Sequence, residues 1–231
     1  MIKLYSYFRS STSYRVRIAM HLKGIDFETV PVNLLKNEQR DEAFLKVNPF
    51  GGVPALVDGD YVLSQSLAII NYIDNLVPNP KLAPGDEKDQ AYVRQIALGV
   101  AEDIHPLINL KTQQYLSANL GADDNAKKEW YKHWTMTGMS AIEKLLQSDG
   151  RAGDTVLGSD ISVADICLIP NMYSMRRFGI DLGAFPLCCQ IEKYCIQHPA
   201  FIAAAPETQD EAPEDLEQIH GVDAPLLKEA A

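Results

Sequence analysis

Residues 8 to 25 read FRSSTSYRVRIAMHLKGI and place Ser10, Ser11, Thr12 and Ser13 between Arg9 and the pair Arg15 and Arg17. Hydroxyls directly ahead of an amphipathic helix serve as N-caps, because they accept hydrogen bonds from the free N–H groups of the first turn. One cap needs one hydroxyl. A row of them at the positive end of a helix, flanked by arginines, also suits an anion such as a thiolate, held by O–H donation and by the helix dipole. The local pattern allows both readings.

Other stretches carry polar groups with similar double readings. Gly51-Gly52-Val53-Pro54 opens an apolar run behind a glycine turn. Proline is tolerated there if the strand is an edge, and a cis X–Pro bond is compatible with the turn. A bent backbone at Val53 can offer its N–H and C=O to an extended peptide; an ordinary strand start is the alternative. Gln65-Ser66 begins an apolar helix, where a hydroxyl and free N–H groups either cap or bind a carboxylate. In Ile104-His105-Pro106 a proline interrupts a long helical pattern and leaves His105, Asn109 and Lys111 near the bend. Ser162 to Asp165 fits a capping box, a structural role. Arg176-Arg177 closes the helix after it, facing the helix dipole or a cleft.

The elements that must hold these groups follow from periodicity. Residues 1 to 7 form a β-type run, residues 14 to 23 switch to helical spacing with Val16, Ile18, Ala19 and Leu22 toward a core, and Gly24 ends that helix. A strand over 27–34, a helix over 38–46, two short strands joined across Asp58, Gly59 and Asp60, and a helix over 66–76 complete the order β-α-β-α-β-β-α. Residues 77 to 88 hold three prolines and break both periods. Helices are expected over 88–118, 123–147, 162–176 and 187–197. The expected division is an α/β domain over 1–80, a linker over 81–88, an all-helical domain over 89–206, and a loosely held acidic tail over 207–231.

Composition narrows the function. The 231 residues are 46% apolar and carry a formal net charge of −10, which argues against nucleic-acid binding because no basic surface is available to neutralise phosphates. An anionic small ligand remains open if arginines gather locally. No apolar run is long enough to cross a bilayer, so no membrane role is expected, and the lack of a cleavable apolar start makes the cytoplasm the expected location. Cys167, Cys188, Cys189 and Cys195 lack C-x-x-C spacing and read as reduced thiols. The histidines are scattered without ligand spacing, so no metal is expected.

Taken together, these residues resemble the zeta class of the cytosolic glutathione transferases, which includes maleylacetoacetate and maleylpyruvate isomerases. Ser10 to Ala19 is similar to the signature Ser-Ser-Cys-x-(Trp, His or Tyr)-Arg-Val-Arg-Ile-Ala, with Thr12 in the place of the cysteine. Asn48-Pro49, Val53-Pro54, Gln65-Ser66, the Ser162 to Asp165 box and Arg177-Phe178 extend the match over residues 2 to 206.

The resemblance implies a thioredoxin-like α/β N-terminal domain that binds glutathione, followed by an all-α domain that supplies much of the acceptor pocket, in a homodimer. It implies that Ser11, with Ser10 next, stabilises the glutathione thiolate in a stretch extending over Thr12, Ser13, Tyr14 and Arg15. Val53 pairs with the cysteinyl part, Gln65 and Ser66 hold the γ-glutamyl end, and Gln39 contacts the tripeptide. His105, Asn109, Leu110 and Lys111 border the bound tripeptide or substrate. Arg9 and Arg177 bind the carboxylates of a maleyl-type diacid, with Lys111 as a further cation. The implied reaction is cis–trans isomerisation of maleylacetoacetate, in tyrosine and phenylalanine breakdown. Asn109-Leu110-Lys111 is less similar to the maleylpyruvate branch, which has adjacent arginines there. General conjugation or dehalogenation, and a non-catalytic binding protein, are the other readings.

Overall fold

The computed structural model describes residues 1–216 together with 218 and 219. His220 and the rest of the expected tail, 220–231, lie outside the described residues. Among the described residues the chain divides into two compact units, one holding residues 1–82 with the segment that begins at Ile196, the other holding Ala83–Cys195.

The first unit is built on a four-stranded sheet in the order β2-β1-β3-β4, from β1 (Ile2–Ser6), β2 (Phe27–Pro31), β3 (Ala55–Asp58) and β4 (Tyr61–Ser64). β1 pairs parallel with β2, Ile2 opposite Phe27, and antiparallel with β3, Leu4 opposite Leu56. Alternation in IKLYS turns Ile2, Leu4 and Ser6 inward. The parallel pair requires a crossover, supplied by α1 (Ser11–Leu22). That helix ends where Gly24 takes φ +60 and Ile25 N–H returns to the Met20 carbonyl at 3.0 Å, a Schellman-type stop. A 3₁₀ turn over Leu34–Lys36 follows β2, and the helix expected over 38–46 is a second 3₁₀ turn, Glu38–Arg40, followed by α2 (Glu42–Val47). α3 (Ser66–Leu76) buries Ile69 and Ile73. Lys23 Nζ donates to Asp74 and to the Val77 and Pro80 carbonyls, which pins the segment after α3.

The second unit is helical: α4 (Glu87–Leu98), a π-helical turn (Gly99–Ile104), α5 (His105–Ile108), α6 (Leu110–Leu120), α7 (Asp124–Asp149), α8 (Val163–Arg177) and α9 (Pro186–Cys195). The single helix expected over 88–118 is therefore broken twice before residue 110. Val93, Ile96, Ile104, Met139, Leu146 and Ile166 are fully buried. α8 starts on the expected capping box: the Asp165 carboxylate accepts from Ser162 N–H and Oγ–H and from Val156 N–H, each at 2.8 Å. Burial raises the Asp165 carboxyl from 3.8 to about 6 against these bonds, which lower it. Glu143 of α7 accepts from the Leu187 and Cys188 N–H groups at 3.0 and 3.1 Å, satisfying the start of α9.

Sequence periodicity gave no sign of α10 (Pro199–Ala204), and 196–206 was expected in the helical domain. The structure packs α10 on α1 in the first unit, because Arg17 Nε donates to the Ala204 carbonyl at 2.9 Å and Tyr14 Oη to the Phe201 carbonyl at 3.3 Å. The start of the expected loose tail is also bonded: Thr208 Oγ1 and Gln209 Nε2 both donate to the Ala203 and Ala205 carbonyls.

Candidate active site

Ser10 is the N-cap of α1, in extended backbone at φ −72, and its Oγ accepts the Ser13 N–H at 3.2 Å. Its hydroxyl also lies 2.9 Å from Thr12 Oγ1, which itself lies 2.9 Å from the Val53 carbonyl oxygen. A carbonyl only accepts, so the one Thr12 proton goes to Val53, and the Ser10 proton goes to Thr12. The hydroxyls therefore form a directed relay, Ser10 to Thr12 to Val53. Ser11, the first residue of the helix, stands half-buried beside it.

Val53 is positioned by the NPFGG turn. Asn48 is buried, donates to the Gly52 carbonyl at 2.6 Å and accepts the Phe50 N–H at 3.1 Å. Gly51 takes φ +59, and a Cβ there would come within 3.2 Å of the Gln39 carbonyl, so this close approach needs glycine. The same approach holds Gln39, buried, with no partner for its Oε1 among the described residues. The Val53–Pro54 bond is cis. Pro54 does not sit on an edge strand: β3 lies between β1 and β4, and Pro54 fits because pairing begins one residue later, at Ala55.

Gln65 precedes α3 at φ +72, a conformation that costs a non-glycine residue about 1–3 kcal/mol and that concentrates at functional sites. It makes no side-chain cap bond, so the first turn of α3 is left without one. Ser66 is buried, and its Oγ lies 3.4 Å from Arg15 Nη1. The start of α1, Val53, and the Arg15–Ser66 pair thus belong to one unit, and Arg9 stands two residues before α1 with a buried Nε that has no hydrogen-bond partner among the described residues.

Several expected site residues have other work. Tyr14 is 1% exposed and bonded to Phe201; Ser13 is fully buried. Arg15 is buried against Ser66. Arg17, expected beside an anion, is fully buried and donates to Ser6 Oγ, the Phe8 carbonyl and the Ala204 carbonyl. These are corrections to the picture of a hydroxyl row ringed by three available arginines: Arg9 alone of the three is less than fully buried.

On the second unit the π-helical turn and Pro106 deliver His105, half-buried, to the start of α5. Asn109 caps α6, its Oδ1 accepting the Thr112 N–H at 3.0 Å, while Leu110 and Lys111 face outward. Trp130 Nε1 donates to the Leu107 carbonyl at 2.7 Å and fixes α5 on α7. Gln113, one turn after Asn109, keeps a buried Nε2 without a partner among the described residues. The sequence reading passed over it, although its i, i+4 spacing from Asn109 was the available signal. Arg176 and Arg177 divide: Arg176 Nε contacts both Glu192 oxygens at 3.0 Å in a buried pair, while Arg177 is exposed. Burial drives the Tyr131 phenol far above its ordinary range, opposed by the nearby Arg177 charge.

Among the described residues no group of three or more His, Cys, Asp or Glu side chains is placed to hold a metal ion, and no helix is long and apolar enough to cross a membrane. Residues 1–75 match the family described as glutathione S-transferase, N-terminal domain. A probable maleylacetoacetate isomerase of Vibrio cholerae is 41% identical over 90% of this chain and 97% of its own length. The holo structure of a maleylpyruvate isomerase, described as a bacterial glutathione S-transferase of the zeta class, superposes with a TM-score of 0.89 at 40% identity, covering 91% of this chain and all of that one. A maleylacetoacetate isomerase from Methylobacterium extorquens AM1, solved with malonate and glutathione bound, gives 0.88 at 36% identity over 91% and 99% of the two chains. The thioredoxin-like sheet, the helical second unit and this likeness lead to one conclusion: the chain belongs to the zeta class of glutathione S-transferases, the family of the maleylacetoacetate and maleylpyruvate isomerases.

Proposed function

We propose that the chain is a glutathione-dependent isomerase that converts maleylacetoacetate to fumarylacetoacetate. The observation that supports this reading is the link between Thr12 and Val53: Thr12 Oγ1 donates to the Val53 carbonyl at 2.9 Å and so holds the hydroxyl-bearing start of α1 beside the residue that precedes the cis proline.

The residues present fit glutathione. An extended tripeptide with a carboxylate at its γ-glutamyl end asks for a backbone edge, a helix start without a side-chain cap, and polar side chains lacking partners. Val53, the first turn of α3 and the buried Gln39 Oε1 meet those needs in the first unit. Bound glutathione supplies a thiol that adds to the cis double bond, permits rotation about the resulting single bond, and leaves unchanged.

Ser11 Oγ–H donates to the sulfur anion, and with the N-terminal dipole of α1 it lowers the thiol pKa toward neutrality. Thr12 needs no thiol for this; it orients the Val53 carbonyl. The α3 N–H groups with Gln65 and Ser66 take the γ-glutamyl carboxylate. Arg9 and, on the second unit, Arg177 each supply a guanidinium for a substrate carboxylate and for the charge that develops on addition. Malonate in a relative's structure supports a dicarboxylate as ligand.

Maleylpyruvate is the second reading, favoured by the likeness to the holo maleylpyruvate isomerase. The test is kcat/KM on both maleyl substrates with glutathione present. A preference for maleylacetoacetate of about tenfold or more supports the proposal; the reverse preference assigns maleylpyruvate.

A further inference from the structure

Both arginines read as carboxylate ligands stand on aromatic rings. Phe178 follows the last residue of α8 and is 50% exposed, and Arg177 Cζ lies 4.7 Å from its ring centroid. The Phe178 ring in turn rests on Tyr131 of α7, with centroids 4.3 Å apart and planes at 39°, and Tyr131 is only 4% exposed. In the first unit Arg9 Cζ lies 5.4 Å from the Phe8 centroid, and Phe8 packs on Tyr7 at 4.8 Å. Each unit thus repeats one device: a guanidinium on a ring, and that ring on a second ring.

A free arginine side chain samples many rotamers, and a carboxylate that captures it must offset that lost freedom. A guanidinium held over a ring face keeps N–H groups that the ring does not use, and these can meet a carboxylate. The end of α8 is already fixed by the buried Arg176–Glu192 pair. Adjacent arginines therefore divide the labour: Arg176 anchors the helix end and Arg177 presents its charge. Apolar cover of Tyr131 alone does not ask for an aromatic, since leucine would supply it.

We propose that Phe178 is a positioning residue for Arg177, a π-shelf that holds the guanidinium ready for a substrate carboxylate, and that Phe8 does the same for Arg9. The proposal rests on reading Arg177 as a carboxylate ligand, so the test separates the two. Malonate affinity is measured by titration calorimetry on the full chain with glutathione present, alongside KM and kcat for the maleyl substrate. Arg177→Ala is expected to weaken malonate about tenfold to a hundredfold. Phe178→Leu is expected to weaken it about three- to fivefold, to raise the substrate KM by a similar factor and to lower kcat by less than Arg177→Ala does, with glutathione affinity unchanged. Phe178→Trp, which restores a stronger π-face, is expected to match or exceed wild type, and Phe8→Leu to repeat the loss. Loss in Arg177→Ala with wild-type affinity in Phe178→Leu overturns the shelf and leaves the carboxylate reading standing. Wild-type affinity in Arg177→Ala overturns that reading itself. If Phe178→Leu fails to fold, the Trp variant decides, and weakened malonate binding there overturns the shelf.

Discussion

Thr12 Oγ1 lies 2.9 Å from the Val53 carbonyl oxygen and donates its proton there, tying the first turn of α1 to the residue before Pro54. The position that holds cysteine in the zeta signature thus acts here as a hydrogen-bonded link between helix and loop. Thr12→Val removes the link at nearly constant volume and leaves both Ser10 and Val53 short of a partner. It is expected to cost about 1 kcal/mol, a melting-temperature loss of roughly 2–4 °C, and to weaken glutathione binding. Thr12→Cys, with a weaker S–H donor, should retain most activity. Calorimetric melting and glutathione titration check both.

Arg17 is fully buried and donates to Ser6 Oγ and to the Phe8 and Ala204 carbonyls. Arg17→Met leaves those acceptors dry and frees α10 from α1. The expected loss is about 3 kcal/mol or more by urea unfolding, and Arg17→Lys should not rescue it, because an ammonium cannot reproduce the planar fork.

These residues show what the sequence could and could not convey. The Ser10 cap, the Ser162–Asp165 box and the βαβ order depend on neighbours a few positions away, so local spacing revealed them. The burial of Arg15 and Arg17 depends on Ser66 and on Phe201 to Ala204, far along the chain, and a local pattern reads arginines beside hydroxyls as an anion site. α10 is only six residues long and carries little periodicity, although His198 before Pro199 was a start signal. Pro106 announced a break, but not the π-helical turn ahead of it, which forms where α4 continues past Leu98 against α7.

Asp165 is completely buried, with its carboxyl raised from 3.8 to about 6. A carboxyl whose folded value lies above its unfolded value favours the native state when protonated. That contribution is complete below about pH 4 and is lost as the pH rises through about 6. Asp165→Asn cannot titrate and also loses part of the capping box. The stability gap between wild type and variant should therefore be widest near pH 4 and narrow by up to about 3 kcal/mol by pH 8. Urea unfolding across that range checks it; a gap that widens with pH contradicts the burial argument.

Gly138 of α7 faces the π-helical turn so closely that a Cβ would lie 2.3 Å from Ile104 Cγ1 and 2.6 Å from its Cδ1. Gly138→Ala is expected to destabilise the chain by about 1–3 kcal/mol through overpacking, despite the better helix propensity of alanine. Adding Ile104→Val, which removes the Cδ1, should recover part of the loss. Comparison of the single and double variants by urea unfolding tests the coupling.

The central claim is that the thiol is used and returned. Its most direct measurement is simultaneous: the absorbance of maleylacetoacetate and the titre of free thiol, followed with and without glutathione. The account predicts turnover that requires glutathione, a fumaryl product, and a thiol concentration that stays constant over many turnovers, with Ser11→Ala reducing the rate by about tenfold or more. Thiol consumed in step with substrate would make the chain a conjugating transferase, and turnover independent of glutathione would contradict the account outright.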